Sequence, residues 1–326
     1  MSSLLSAGLK RVFTKQPIYT ATAGFATTAQ LLKDINSVTV IGAGLMGSGI
    51  VQVAAQANCK VTMVDTSDAA LGNGEKLIST SLKRVARKKF ADDEQQQKQF
   101  IDNVLANITL SKNAEQAVSD SDLVVEAIVE NIDVKRTLFT SLDKAAPEHS
   151  IFCSNTSSLP ISEIAAATSA SRQEKFAGLH FFNPVPAMKL VEIVRTNAVT
   201  DDVFQSLQDF TTKVGKTPVS CKDTPGFIVN RLLVPYMFEA FRVLDRKEAS
   251  IKDIDTAMKL GAGMPMGPFE LADFVGLDTM KFIVDGWAKE GKIEAALVQP
   301  SPALDDLVSQ GHLGRKSGKG FYDYNK

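Results

Sequence analysis

A glycine-rich turn between a short apolar run and a helix-like segment is the feature that most constrains how this chain folds. The run over 38–42 reads VTVIG and predicts a β-strand, and its last residue opens the string GAGLMG. The spacing G-x-G-x-x-G after a strand is typical of a dinucleotide-binding turn, where the backbone approaches a pyrophosphate at a helix N-terminus. The predicted cofactor-binding residues of this turn are Gly42, Gly44, Leu45, Met46 and Gly47.

An aspartate at the end of the next predicted strand indicates which cofactor this turn would hold. The run KVTMVD over 60–65 ends at Asp65, where a carboxylate can accept hydrogen bonds from the adenosine ribose hydroxyls. Thr66, Ser67 and Asp68 follow and supply no arginine for a 2′-phosphate. We therefore expect NAD rather than NADP. A tight strand-to-helix turn beside a surface aspartate is the alternative interpretation.

The order of the remaining elements predicts the fold class. Short apolar runs alternate with polar helical stretches, which is typical of a parallel sheet with helices on its faces. After the first two runs they lie at 108–110, 122–128, 150–155 and 175–182. Beyond the segment 220–231 the strand-like pattern stops, and helices are predicted over 227–247, 250–260, 267–275, 277–290 and 301–310. Ser250 and Asp253 form a capping box for the second of these helices. We predict an α/β fold, with a Rossmann-type NAD-binding domain over 35–222 followed by a smaller all-helical domain over 223–326.

The first 30 residues differ in composition from the rest of the chain. No acidic residue precedes Asp34, whereas Lys10, Arg11 and Lys15 lie among serine, threonine, alanine and leucine. An acid-poor, amphipathic and cationic start is typical of a mitochondrial presequence. We predict that residues 1 to about 30 form a presequence that is removed from the mature protein. A disordered tail is the alternative.

The overall composition excludes several classes of partner. With 36 basic and 37 acidic residues, the net charge of −1 gives no electrostatic basis for binding nucleic acid. Cys59, Cys153 and Cys221 show no paired spacing, so neither a disulfide framework nor a metal site is expected. No apolar run is long enough to predict a membrane span. A small-molecule partner is therefore the default expectation.

One histidine is a candidate for proton transfer. His180 lies near the end of a predicted strand, and a turn of sequence NPVP leads into a second strand that contains Glu192. An antiparallel return of the chain would set these two side chains opposite each other on one face of the sheet. A carboxylate orients an imidazole and stabilises its charged form, which suits a dehydrogenase that removes a proton from a hydroxyl. A buried histidine with a merely structural role is the alternative.

Further polar residues lie at positions where an open α/β sheet binds ligands. Ser157 follows a predicted strand, and Asn230 lies at the start of the first C-terminal helix. The basic segment 76–89 is a predicted helix on which Ser81 and Lys88 share a face. Turn chemistry, helix capping and a solvated basic surface are the alternative explanations for these residues.

Several segments together resemble the mitochondrial short-chain L-3-hydroxyacyl-CoA dehydrogenases. They are VIGAGLMGSGI, DLVVEAIVEN, SNTSSLPIS, FAGLHFFNPVPAMKLVEIV, PVSCKDTPGFIVNRLL and MKLGAGMPMGPFELADFVGLD, and the resemblance runs from about Ser37 to the C-terminus. It implies NAD-dependent oxidation of L-3-hydroxyacyl-CoA to 3-ketoacyl-CoA in fatty-acid β-oxidation. It also implies a location in the mitochondrial matrix and a homodimer formed through the helical domain.

The same resemblance implies roles for individual residues. His180 would be the general base and Glu192 its partner, while Ser157 and Asn230 would hold the substrate. Asn183 would be a further active-site residue. The implied contacts to the cofactor are Glu130, Lys135 and Lys316, and those to coenzyme A are Ser81, Lys88 and Ser157.

Two other functions compete with this interpretation. The first is a non-catalytic NAD-binding or structural relative, against which His180 and Glu192 argue because NAD binding needs neither of them. The second is a dehydrogenase of a free hydroxy acid, in which the helix face with Ser81 and Lys88 would have no diphosphate to bind. Activity with acetoacetyl-CoA discriminates among the three.

Overall fold

The computed structural model describes residues 34–291 and 293–325. The predicted presequence lies outside the described residues. Among the described residues no helix combines the length and the apolar character needed to cross a membrane.

A single eight-stranded sheet organises the first two thirds of the described chain. Its strands are β1 Ser37–Ile41, β2 Lys60–Val64, β3 Ile108–Ser111, β4 Leu123–Glu126, β5 Ile151–Ser154, β6 Phe176–Phe181, β7 Leu190–Arg195 and β8 Thr217–Lys222. Their spatial order is β3-β2-β1-β4-β5-β6-β7-β8. All neighbouring strands are parallel except β6 and β7, which pair antiparallel. The predicted Rossmann-type arrangement is confirmed.

Helices connect the strands and cover both faces of the sheet. In the sheet-containing part they are α1 Leu45–Gln56, α2 Asp68–Phe90, α3 Glu94–Leu105, α4 Ala114–Ala117, α5 Ile132–Ala145, α6 Ile161–Ala165, α7 Ala170–Gln173 and α8 Asp201–Lys213. Successive strand residues point to opposite faces. Accordingly Val125 packs in a cluster with Ile50 of α1, whereas Val124 packs in another with Phe139 of α5. Burial on both faces explains why the central strands read as continuous apolar runs.

The C-terminal part is helical and has its own apolar cluster. Its helices are α9 Val229–Asp245, α10 Ile251–Gly261, α11 Pro268–Val275, α12 Leu277–Glu290 and α13 Pro302–Ser309, with short 3-10 turns over Ala295–Val298 and Arg315–Ser317. The cluster is centred on Phe238, Phe241, Phe269 and Trp287. All five predicted helices are confirmed within two residues at each end. The Ser250 hydroxyl accepts the Asp253 N–H at 3.2 Å, as the capping prediction requires.

The strand β8 is absent from the sequence prediction. Its sequence TPVSCK alternates poorly, and its residues are exposed or only half-buried because it lies at the edge of the sheet. Pro218 cannot donate a backbone hydrogen bond, which an edge strand tolerates and a central strand does not. The chain leaves β8 and reaches α9 through a turn in which Gly226 and Phe227 both have positive φ, 77° and 52°.

Candidate active site

Three glycines shape the turn between β1 and α1, each for a different reason. Gly42 has a φ of 110°, and a side chain there would also collide with the carbonyl oxygen of Ala127. A side chain on Gly47 would collide with the carbonyl oxygen of Gly42, so this glycine lets α1 pack closely on the strand. Gly44 is the N-cap of α1 and has open space before it. The turn therefore leaves a free approach to the helix N-terminus, as binding of a pyrophosphate requires.

Asp65 lies immediately beside this turn. Its Oδ2 accepts the N–H of Ala43 at 2.9 Å, which ties the carboxylate to the glycine-rich segment. The cleft next to it has a volume of about 990 Å³ and is lined by Gly42, Gly44 and Asp65 together with apolar residues that include Val129 and Val134. A carboxylate at the polar end and apolar walls along the sides suit a ribose and an adenine ring. The residues present therefore fit NAD.

His180 and Glu192 form a buried pair at the β6–β7 hairpin. The predicted antiparallel register is confirmed, since these two residues are direct partners across the strands. Nδ1 of His180 lies 2.8 Å from Oε2 of Glu192, and the two residues are 4% and 0% exposed. Because a carboxylate accepts hydrogen bonds, Nδ1 carries the proton in this contact. That assignment leaves Nε2 as a proton acceptor on the opposite side of the ring.

The second oxygen of Glu192 reaches the start of α9. Oε1 accepts the backbone N–H groups of Ile228 at 3.1 Å and Val229 at 2.9 Å. Burial favours the neutral carboxyl, but the hydrogen bonds from His180 and from these backbone groups outweigh it. They hold the pKa of Glu192 below its usual range. Glu192 is therefore an anion at neutral pH and can stabilise a charged imidazole.

The free nitrogen of His180 faces Ser157. Oγ of Ser157 lies 3.1 Å from Nε2, so the hydroxyl can donate to it. The rings of Phe182 and Phe227 flank the imidazole, with centroid distances of 4.5 Å and 5.6 Å. The rotation of the ring is thus limited on two sides. Nε2 can therefore accept a proton, and the resulting positive charge on the imidazole is stabilised by the Glu192 carboxylate at Nδ1.

A network of charges beneath the loop 156–158 fixes the position of Ser157. Oε1 of Glu130 accepts the backbone N–H of Ser157 at 3.0 Å and the hydroxyl of Thr156 at 2.5 Å. Lys135 contacts Oε2 of Glu130 at 3.3 Å and Oε1 of Glu126 at 2.5 Å. Partial burial opposes ionisation of Glu130, but Lys135 and the hydrogen bonds hold its pKa below the usual range.

Two of the predicted substrate residues, Ser81 and Asn183, line a smaller cavity next to the glycine turn. This cavity, of about 140 Å³, is lined by Leu45, Ser81, Arg84 and Asn183 among others. Lys88 lies exposed one turn beyond Arg84 on α2. Asn230 is the second residue of α9, and its Nδ2 lies 3.5 Å from the carbonyl oxygen of Ser157. The structure thus brings Ser81 to Asn183, and Asn230 to the loop beside His180.

Two residues expected at the cofactor, Lys135 and Lys316, do not line the cleft beside Asp65. Lys135 is 1% exposed, and its ammonium is held by Glu126 and Glu130 beneath the loop, so it does not line the cleft beside Asp65. Lys316 lies near the C-terminus and contacts Asp278 at 2.5 Å. Among the contacts of the described residues, none joins Lys316 to the glycine turn or to Asp65.

Three residues of the site have no counterpart in the sequence prediction. Glu126 anchors Lys135, Phe227 packs against His180, and Arg84 lines the cavity with Ser81. A charged residue that ends the apolar run LVVE is a signal that could have identified Glu126. Arg84 could have been found from its position between Ser81 and Lys88 on one helix face.

Known proteins resemble this chain in both sequence and structure. Residues 37–224 match the family described as 3-hydroxyacyl-CoA dehydrogenase, NAD binding domain, and residues 226–324 match its C-terminal domain. The mitochondrial hydroxyacyl-coenzyme A dehydrogenase of Homo sapiens is 58% identical over 290 residues, which cover 89% of this chain and 91% of that protein. A probable 3-hydroxyacyl-CoA dehydrogenase of Caenorhabditis elegans is 56% identical over 304 residues, 93% of this chain and 97% of that protein. The solved (S)-3-hydroxybutyryl-CoA dehydrogenase from Ralstonia eutropha superposes with a TM-score of 0.83 at 38% identity, covering 90% of this chain and 100% of that one.

Proposed function

The chain belongs to the 3-hydroxyacyl-CoA dehydrogenase family, and we propose that His180 is the general base with which it performs that family's reaction. The protein is an NAD-dependent oxidoreductase that converts L-3-hydroxyacyl-CoA into 3-ketoacyl-CoA, a step of fatty-acid β-oxidation. The observation that carries the assignment to His180 is the line of contacts from Glu192 through the imidazole to Ser157.

In the oxidative direction the chain must remove a proton from the substrate hydroxyl. Nε2 of His180 takes this proton, because Nδ1 is already bonded to Glu192. The carboxylate then stabilises the imidazolium across 2.8 Å. Ser157 and Asn230 hold the reacting oxygen near Nε2, and Asn183 contacts the substrate from the neighbouring cavity. Bound NAD supplies the acceptor for the hydride that leaves C3.

Coenzyme A binding is assigned to the cationic face of α2. Ser81, Arg84 and Lys88 follow one another at spacings of three and four residues, which places them on one side of the helix. Arg84 and Lys88 can bind phosphate groups by charge and hydrogen bonding. A dehydrogenase of a free hydroxy acid would gain nothing from them. The glycine turn and Asp65 hold NAD, while Glu130 and Lys135 act through the loop that carries Ser157.

The location and assembly of the protein are also part of the proposal. Relatives of this chain are named mitochondrial enzymes, and together with residues 1–30 they support import into the mitochondrial matrix.

The helical domain over 223–326 exposes Leu232, Leu260 and Phe282, which are 70%, 84% and 64% accessible. Apolar side chains exposed to this degree on three helices favour a homodimer formed through this domain. Sedimentation of the protein before and after replacement of Leu260 and Phe282 by Ser tests the dimer.

The experiment that tests the reaction follows NADH absorbance with acetoacetyl-CoA as substrate. We expect turnover in the unmutated protein and a loss of ~10²–10⁴-fold in His180→Gln, the range typical of general acid–base catalysis. His312→Gln is the matched control, since His312 lies in a C-terminal turn near Leu313 and Gly314. Retention of more than about a tenth of the turnover in His180→Gln would refute the assignment. NADH binding without turnover would indicate a non-catalytic relative, and equal rates with free acetoacetate would indicate a hydroxy-acid dehydrogenase.

A further inference from the structure

An ion pair at the ribose end of the NAD cleft concerns cofactor selectivity. Lys112 directly follows β3 and lines the same cleft as Asp65 and Thr66. Its ammonium lies 2.8 Å from Oδ2 of Asp68, the first residue of α2. The side chains remain 54% and 82% exposed, so both are accessible to solvent. A cation is thus present where the residues after Asp65 supply none.

The order of the strands gives this cation its significance. β2 ends beside Asp65, and β3 is its neighbour on the side away from β1 and the glycine turn. Suppose that Asp65 holds the ribose. A ribose substituent that points away from the glycine turn then approaches the end of β3 and the start of α2. Those two positions carry Lys112 and Asp68. Lysine is a common phosphate ligand, and a 2′-phosphate is the group that distinguishes NADP from NAD.

We propose that Asp68 is a specificity-determining residue, which keeps the protein selective for NAD by neutralising Lys112. The carboxylate occupies the ammonium that would otherwise bind a 2′-phosphate. Asp65 supplies the ribose contact in either case, and the inference rests on the proposed use of NAD at this cleft. Asp133 of α5 also lines the cleft but approaches it from the other side of the turn, after β4.

The test measures binding to the protein without any substrate. Adenosine 2′,5′-bisphosphate and AMP, which differ by the 2′-phosphate, are titrated calorimetrically at low ionic strength. We expect Asp68→Asn to raise the affinity for the bisphosphate relative to AMP by about fivefold, the scale of one exposed charge pair. The double variant Asp68→Asn/Lys112→Met should lose this gain, and added salt should reduce it. In the assay with acetoacetyl-CoA, the ratio of kcat/KM for NADPH to that for NADH should rise in parallel.

Asp133→Asn is the matched control, because it removes the same charge from the same cleft without releasing Lys112. A similar gain in Asp133→Asn would attribute the effect to net charge and overturn the proposal. A gain that persists in the double variant would do the same, since repulsion alone would then explain it. An unchanged affinity ratio in Asp68→Asn, with an unchanged melting temperature, would refute it directly. None of these outcomes depends on turnover of acyl-CoA, so failure of the proposed function is seen separately.

Discussion

Replacement of Glu192 by glutamine tests whether the carboxylate does more than fill space. The substitution keeps the shape of the side chain but turns one oxygen into an NH₂ group. If the amide oxygen stays at the position of Oε1, it retains the N–H groups of Ile228 and Val229. The opposite orientation would set the NH₂ group against these two donors. Because leaving a buried donor unsatisfied costs about 1–3 kcal/mol, the first orientation prevails.

In that orientation the NH₂ group points at Nδ1 of His180. Nδ1 must then accept, so the proton moves to Nε2, the nitrogen that faces Ser157. An imidazole protonated at Nε2 cannot take the hydroxyl proton, and the imidazolium has lost its negative partner. We expect turnover in the oxidative direction to fall by ~10²–10⁴-fold. The acidic limb of the pH profile should move to lower pH, because the charged imidazole is no longer stabilised.

The measurement is the initial rate of NADH formation from 3-hydroxybutyryl-CoA across a pH series, with NAD affinity and melting temperature measured on the same samples. Glu192→Gln should bind NAD normally and unfold within a few degrees of the parent. Glu148→Gln, which neutralises an exposed carboxylate, is the control for loss of one charge. A pH profile and a turnover that both overlay those of the parent would remove Glu192 from the mechanism. Another residue would then have to orient His180.

Two further predictions concern cofactor binding and acid stability. Asp65→Ser should raise the KM for NAD by about tenfold, because the ribose contact is lost, and should leave the KM for acetoacetyl-CoA unchanged. Equal rates with NAD and NADP in the unmutated protein would contradict the predicted selectivity for NAD. Partial burial raises the pKa of Glu130, but Lys135 and the hydrogen bonds outweigh this and lower it. The ionised carboxylate therefore stabilises the fold above its unfolded pKa of about 4.3, and this contribution is lost as the pH falls through the folded pKa. The difference in unfolding free energy between the parent and Glu130→Gln, measured in urea, should be largest near pH 7 and shrink below about pH 4; a constant difference would contradict the reasoning.

The fold could be predicted where local pattern and burial coincide. β4 and β5 are buried throughout because helices cover both sides of them, and accordingly every residue except the last of each strand is apolar. Some of the C-terminal helices carry clear start signals, such as Ser250 at α10 and Pro302 at α13. β8 has neither kind of signal. It pairs with β7 at the edge of the sheet, so its pairing depends on tertiary contacts that its own residues do not encode.

The site was predictable to the extent that its residues are close in sequence. His180 and Glu192 flank one short turn, and a hairpin register follows from their spacing about that turn. Glu126, Lys135 and Ser157 come from three separate elements and meet only when β4, α5 and the loop after β5 are assembled. No periodicity relates them. The contacts that join them therefore follow only from the assembled fold.

The contacts of Glu192 explain why the reaction center and the domain junction cannot be altered independently. One oxygen orients His180, and the other accepts two N–H groups at the start of α9. Phe227, which precedes them, has a φ of 52° and packs against the imidazole. A side chain at Gly226 would collide with Trp287 in the helical cluster. A change in the packing of the helical domain is therefore transmitted through this turn to the carboxylate. Loss of activity in variants of the helical domain is consequently expected even where no substituted side chain touches the substrate.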